Sequence, residues 1–163
     1  MEIIIEGCDG TGKSTVVQKL KEKYNCDILS MTKEGDKTVR GYEEKAKLHN
    51  IISDRSFISE WVYSKVYGKK SELTRNWFGW LLDYEYRKYK IFVLTCDPNV
   101  IMQRINERGI DKEDLTNVTK LNQEYKNLAQ SHSKRINIID TTNLTCDQVY
   151  GQIVSKVEEL DGI

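Results

Sequence analysis

An apolar, β-branched run, Ile3 to Glu6, leads directly into Gly7-Cys8-Asp9-Gly10-Thr11-Gly12-Lys13-Ser14 and then into a helical pattern from Lys13 to Tyr24. This stretch satisfies GxxxxGK[ST] in full, and it does so between a strand and a helix, the context that gives the motif its physical meaning. Glycines let a backbone wrap closely round an anion, and successive N–H groups at a helix N-terminus supply partial positive charge. The chain must therefore arrange a strand end, a tight loop and a helix start around one phosphate-sized hollow.

The remaining sequence fits that demand. Short β-branched runs alternate with longer helical patterns, as in parallel strands joined by crossover helices. The strands are expected at Ile3–Glu6, Asp27–Met31, Asn50–Ser53, Lys90–Cys96 and Arg135–Asp140. Most lack polar alternation, as strands covered on both faces do. Helices are expected at Lys13–Tyr24, Gly41–Leu48, Phe57–Tyr67, Ser71–Lys88, Pro98–Glu107, Lys112–Gln130 and Cys146–Leu160. Pro98 suits a first helical position, and Thr145 with Gln148 spells a capping box. The expected fold is α/β, a three-layer arrangement of a five-stranded parallel sheet flanked by helices, forming one domain over residues 1–163.

Charge narrows the partners. Lys plus Arg number 25 and Asp plus Glu number 25, so no global field favours nucleic acid or an anionic membrane. The apolar runs are too short to span a bilayer and no secretion signal is evident, so a cytoplasmic protein is expected. Cys8, Cys26, Cys96 and Cys146 are scattered without a CxxC pair, which argues against a zinc site or a disulfide framework. Cys8 needs no nucleophilic role, because phosphoryl transfer requires no covalent thiol.

Phosphate chemistry directs attention to particular side chains. The donor site is expected to comprise Gly7, Asp9, Gly10, Thr11, Gly12, Lys13, Ser14 and Thr15, with Lys13 reaching the β- and γ-phosphates of a nucleotide and the Ser14 hydroxyl ligating Mg²⁺. Asp54 and Arg55 follow the third strand, where ligands sit in open α/β sheets. Asp54 suits Mg²⁺ through water, and Arg55 suits a transferring phosphoryl group. After the second strand, Glu34 offers a base or a sugar contact, and Lys33, Lys37 and Arg40 offer cations for an acceptor phosphate. Arg104 and Arg108 are four apart, share a helix face and suit a closing lid. The aromatic group Trp61, Tyr63, Trp77, Phe78 and Trp80 is expected mostly in the core or an interface. His49 and His132 stand alone and are read as structural or exposed.

Taken in order, "EGCDGTGKST", "TKEG", "DRSFISEWVY", "CDPNVIMQRINERG", "LNQEYKNLA" and "IIDTTNLTCDQV" resemble the thymidylate kinase and deoxynucleoside kinase superfamily. The resemblance implies Mg²⁺-dependent transfer of the γ-phosphate of ATP to a deoxynucleoside or its monophosphate. In thymidylate kinases an acidic residue in the phosphate loop reads the acceptor sugar, and Asp9 matches it, favouring a monophosphate acceptor. The family's DR motif maps onto Asp54 and Arg55, and its acidic residue after the second strand onto Glu34. Substrate contacts are thereby implied for Asp9, Glu34, Arg40 and Arg55. Arg104 and Arg108 match the start of a short Arg-bearing lid, and the Asp140–Asn143 loop, with Thr142, falls where relatives place the donor adenine. A homodimer is the assembly the resemblance implies. Competing readings are a nucleoside 5′-kinase, a nucleotide-binding regulator without an acceptor, and a polynucleotide 5′-kinase, the last disfavoured by the neutral charge balance.

Overall fold

The computed structural model of the chain describes residues 1–30, 36–109 and 114–162. Its strands are β1 Glu2–Glu6, β2 Asp27–Leu29, β3 Ile51–Asp54, β4 Lys90–Thr95 and β5 Ile136–Asp140, all parallel in the order β2-β3-β1-β4-β5. Central β1 bonds to β3 on one side and β4 on the other. The chain crosses from one half of the sheet to the other around it, so its carboxyl end opens onto a crevice.

The helices are α1 Lys13–Tyr24, α2 Val39–Ala46, α3 Phe57–Tyr67, α4 Arg75–Trp80, α5 Pro98–Glu107, α6 Leu115–Ser131 and α7 Cys146–Asp161. On one sheet face, Ile3, Ile5, Phe92 and Leu94 pack with Val16 and Leu20 of α1 and Ile153 and Val157 of α7. On the other, Ile4, Ile91 and Val93 meet Tyr42, Phe57, Ile58, Phe78, Ile101 and Tyr125 from α2 to α6. Consecutive isoleucines in β1 thus enter opposite covered faces, which is why the strand shows no polar alternation. Truncating one, as in Ile4→Ala, would cost about 2–5 kcal/mol. Among the described residues no helix is long and apolar enough to cross a membrane.

Caps explain where expected and observed boundaries differ. The Thr38 side chain accepts the Gly41 N–H and starts α2 ahead of the expected Gly41. Asp114 accepts the Asn117 N–H and starts α6 at Leu115. The expected start at Lys112 and the centre of the expected lid lie outside the described residues. Asn50, with φ +56°, turns the chain, and β3 begins one residue later than expected. The long helix expected from Ser71 to Lys88 is shorter and divided. Thr74 caps α4, and a single π turn, Leu81–Glu85, follows, closed by the Tyr86 N–H on the Leu81 carbonyl at 2.9 Å. Leu81, Leu82 and Tyr86 are all fully buried there, a packing demand that outweighs α-helical regularity.

Candidate active site

The phosphate loop leaves β1 at Gly7, where φ is +137° and a Cβ would stand 2.4 Å from the Leu94 carbonyl oxygen of β4. Only glycine fits that approach. At the far end, Gly12 caps α1 with φ +91°, and nothing lies within 4 Å of where its Cβ would stand. The loop is therefore closed on its sheet side and open on its solvent side. Thr11 Oγ1 and Lys13 Nζ both donate to the Cys8 carbonyl at 2.9 Å, which draws the lysine across the loop. Lys13 is buried, and burial, followed by the Arg55 charge, pushes its pKa down to about 8. Burial also pushes the Cys8 thiol up to about 11, in keeping with a side chain that performs no chemistry.

Two adjoining hollows extend from this loop towards α5. One, of about 240 Å³, is lined by Gly10, Lys13, Ser14 and Ile105 among others, and a second, of about 210 Å³, by Thr11, Val16, Arg104, Thr141 and Leu144. Gly12, Thr15 and Arg108 belong to both. The expected pairing of Arg104 and Arg108 divides into separate tasks. Arg104 donates to the Gly10 carbonyl at 3.2 Å and the Thr141 carbonyl at 3.3 Å, bracing the loop against the end of β5. Arg108 borders both hollows. Thr142 lines neither: its hydroxyl donates to Asp140 at 2.5 Å and accepts the Asp97 N–H at 2.9 Å, and its neighbours Thr141 and Leu144 take the lining positions.

On the other side of the loop lies a cleft of about 540 Å³ beneath the ends of β2 and β3. It shares Asp9, Lys13 and Ser14 with the first hollow, so the two spaces meet at those three side chains. Arg55 is held there in the left-handed region at φ +75°, with its N–H donating to the Ile5 carbonyl at 3.1 Å. A non-glycine residue in that region stores strain, and such strain clusters at functional sites. Its Nη2 donates to Asp9 Oδ1 at 2.8 Å, and its guanidinium carbon sits 5.0 Å over the Tyr63 ring. Asp54 Oδ1 is buried and, among the described residues, accepts no hydrogen bond. An orphaned carboxylate oxygen is costly unless something binds it.

The remaining expectations are only partly met by this geometry. Lys37 lines the cleft, whereas Arg40 stands exposed on α2 and is not among the lining residues. Glu34 and Lys33 lie outside the described residues. Of the aromatic group, Tyr63 lines the cleft, Phe78 is core with Trp61 packed against it, and Trp77 and Trp80 meet edge to face with ring centroids 5.7 Å apart. Glu60, Lys69 and Lys70 were missed; all three line the cleft. The Lys69-Lys70 pair directly after Gly68, the helix stop of α3, was the available signal.

The thymidylate kinase family model matches residues 37–153. The chain belongs to the thymidylate kinase family. The phosphate loop lies ahead of the matched segment and completes the machinery of a P-loop nucleotide kinase, which uses a nucleoside triphosphate as phosphoryl donor. The SPbeta prophage-derived uncharacterized protein YorR of Bacillus subtilis is 30% identical over 165 residues, covering 96% of this chain and 98% of that protein. A crystal structure of YorR in complex with phosphorylated GDP superposes with a TM-score of 0.86 at 26% identity, covering 100% of this chain and 99% of that one. A probable thymidylate kinase of Methanococcus maripaludis is 25% identical over 190 residues, covering 95% of this chain and 94% of its own. Deoxyadenosine kinase from M. mycoides, with bound dCTP, shares the fold at a TM-score of 0.66 and 19% identity, covering 98% of this chain and 100% of that one.

Proposed function

We propose that this kinase transfers the γ-phosphoryl group of ATP to the phosphate of a deoxynucleoside monophosphate, giving the diphosphate. The observation that carries this reading is the charge of the cleft beneath β2 and β3. Among the described residues, Lys13, Lys37, Arg55, Lys69 and Lys70 there outnumber Asp9, Asp54 and Glu60. A neutral nucleoside would leave that excess unpaired, whereas a phosphate monoester brings about two negative charges.

In this reading the amides from Gly10 to Thr15 and the Lys13 ammonium hold the β- and γ-phosphates of ATP, with the rest of the donor in the hollow near Thr141 and Leu144. Arg55 and Arg108 flank the transferring group, one from each side of the loop, and spread its developing charge. Asp9, held by Arg55, faces the acceptor sugar. The orphaned Asp54 oxygen and the Ser14 hydroxyl border the same cleft and are the oxygen ligands that suit Mg²⁺. Among the described residues no three His, Cys, Asp or Glu side chains could hold a metal, so phosphate oxygens would complete its shell. When bound, the ion neutralises charge between the β- and γ-phosphates. The acceptor phosphate is already an anion and needs no base.

A panel of common nucleosides and their monophosphates, incubated with labelled ATP and resolved by mass, tests the proposal. Diphosphate products are expected. Products formed only from nucleosides would reverse the acceptor assignment and leave Glu60 or Glu34 to take the 5′-hydroxyl proton. ATP binding with no phosphorylated acceptor across the panel would point to a regulator instead.

A further inference from the structure

Glu6, the last residue of β1, is fully buried and takes no part in the phosphate-loop motif. Its Oε1 accepts the Ser56 N–H at 2.7 Å and the Ser56 hydroxyl at 2.6 Å, and its Oε2 accepts the Ser59 hydroxyl at 2.6 Å. The Tyr125 hydroxyl lies 2.7 Å from Ser59 Oγ and 3.4 Å from Glu6 Oε2. On the far side of those two hydroxyls stands Arg55, whose Nη1 donates to Ser59 Oγ and to the Tyr125 oxygen, both at 3.4 Å.

Two ends of this network have fixed hydrogen-bonding roles and the middle does not. An ionised carboxylate only accepts, a guanidinium only donates, and a hydroxyl can do either. Glu6 therefore sets the direction: Ser59 donates to Glu6, Tyr125 donates to Ser59, and the lone pairs of both hydroxyls face Arg55. With Nη1 seated on those lone pairs, Nη2 reaches Asp9 at 2.8 Å at the junction of the two substrate spaces. We infer that Glu6 is a positioning residue, acting through Ser59 and Tyr125 to aim the Arg55 guanidinium at the transferring phosphoryl group. The inference rests on the role proposed above for Arg55. Burial raises the Glu6 pKa despite the opposing hydrogen bonds from Ser56 and Ser59 and the Arg55 charge, so the carboxylate is a cost to folding.

The test is a double-mutant cycle read by kcat, by KM for each substrate and by thermal midpoint. Glu6→Gln keeps the shape but presents an amide donor, which turns the hydroxyls round and points their protons at Arg55. It is expected to lower kcat about tenfold or more with KM for ATP unchanged, and Arg55→Lys to lower kcat about a hundredfold. The double variant should be no slower than Arg55→Lys alone, because both changes remove the same interaction. Where Glu6→Gln yields no folded protein, Tyr125→Phe replaces it in the cycle, removing one acceptor for Arg55 while keeping the ring. Losses that multiply in the double variant, or a wild-type kcat in Glu6→Gln, overturn the positioning role and leave that of Arg55 intact. A wild-type kcat in Arg55→Lys overturns both.

Discussion

The two sides of the phosphate loop are built by different means. The side proposed for the donor is made largely of backbone: Gly7 pressed against β4, Gly12 open at the head of α1, and Arg104 tied to two carbonyls. The side proposed for the acceptor is assembled from side chains of separate segments, with Asp9 from the loop, Lys37 before α2, Asp54 at the end of β3 and Arg55 just beyond it, and Lys69 and Lys70 after α3. In the proposed reading, a backbone cradle would recognise what every triphosphate shares and would tolerate little change. Side chains gathered from distant segments can be exchanged one at a time, so on the proposed reading acceptor choice would be the adjustable half of the molecule.

The strongest way to break that division is at the shared junction. Lys13→Met should lower turnover about a thousandfold or more by removing an interaction with the transferring phosphate. The fold should survive. The wild-type ammonium is depressed to about 8 in the folded state from its ordinary 10.5, so its contribution to stability is present above 10.5 and lost as pH falls through about 8. At neutral pH the Met variant should therefore melt no lower than wild type, and wild type should gain on it as pH is raised. A clearly lower melting point for the variant would mean that Lys13 is structural.

Next in size, replacing Lys37, Lys69 and Lys70 together with alanine should raise KM for the monophosphate about tenfold and leave KM for ATP unchanged. Equal rises in both constants would dissolve the distinction between the two halves. A smaller effect sharpens the donor side alone. kcat/KM for ATP should fall as pH rises beyond about 8, where Lys13 of the free enzyme loses its proton, with kcat less affected because bound phosphates retain it. Steady-state pH profiles decide this. The smallest expected shift concerns Glu6 beneath the acceptor side, whose carboxyl is raised by burial. Its stability contribution is complete below the ordinary carboxylate range and is lost as pH rises through the raised value. Wild type should thus gain on Glu6→Gln in thermal midpoint as the pH is lowered from neutral.

Legibility followed the same division. The conformation of the phosphate loop was legible because it depends on backbone angles that glycine alone adopts readily, and glycine is visible in a sequence. Boundaries set by local caps were partly visible: Thr145 and Gln148 form both bonds of the capping box, and Pro98 opens α5 behind Asp97. Thr38 and Asp114 are equally local signals, each a side-chain cap at the start of its helix. The π turn after α4 had no local signature, since it answers the burial of Leu81, Leu82 and Tyr86 by the rest of the molecule. In the acceptor cleft, Asp54 and Arg55 could be placed from their strand. Glu60 could not, because any exposed helix carries such charges, and the Lys69-Lys70 pair after Gly68 signals a loop without saying which space it lines.

By itself the sequence determined the phosphate loop, the parallel α/β sheet that must surround it, and the family, because each rests on short-range patterns of glycine, apolar periodicity and caps. Tertiary structure alone decided which cations face one another across the cleft, that Arg104 braces while Arg108 borders both hollows, and that Glu6 meets Tyr125 across 119 positions of chain. Those pairings depend on how β1, β3 and α6 converge. The physical reason is range: a backbone conformation is set within a few residues, whereas an electrostatic partner is whichever charge the folded chain brings within a few ångströms.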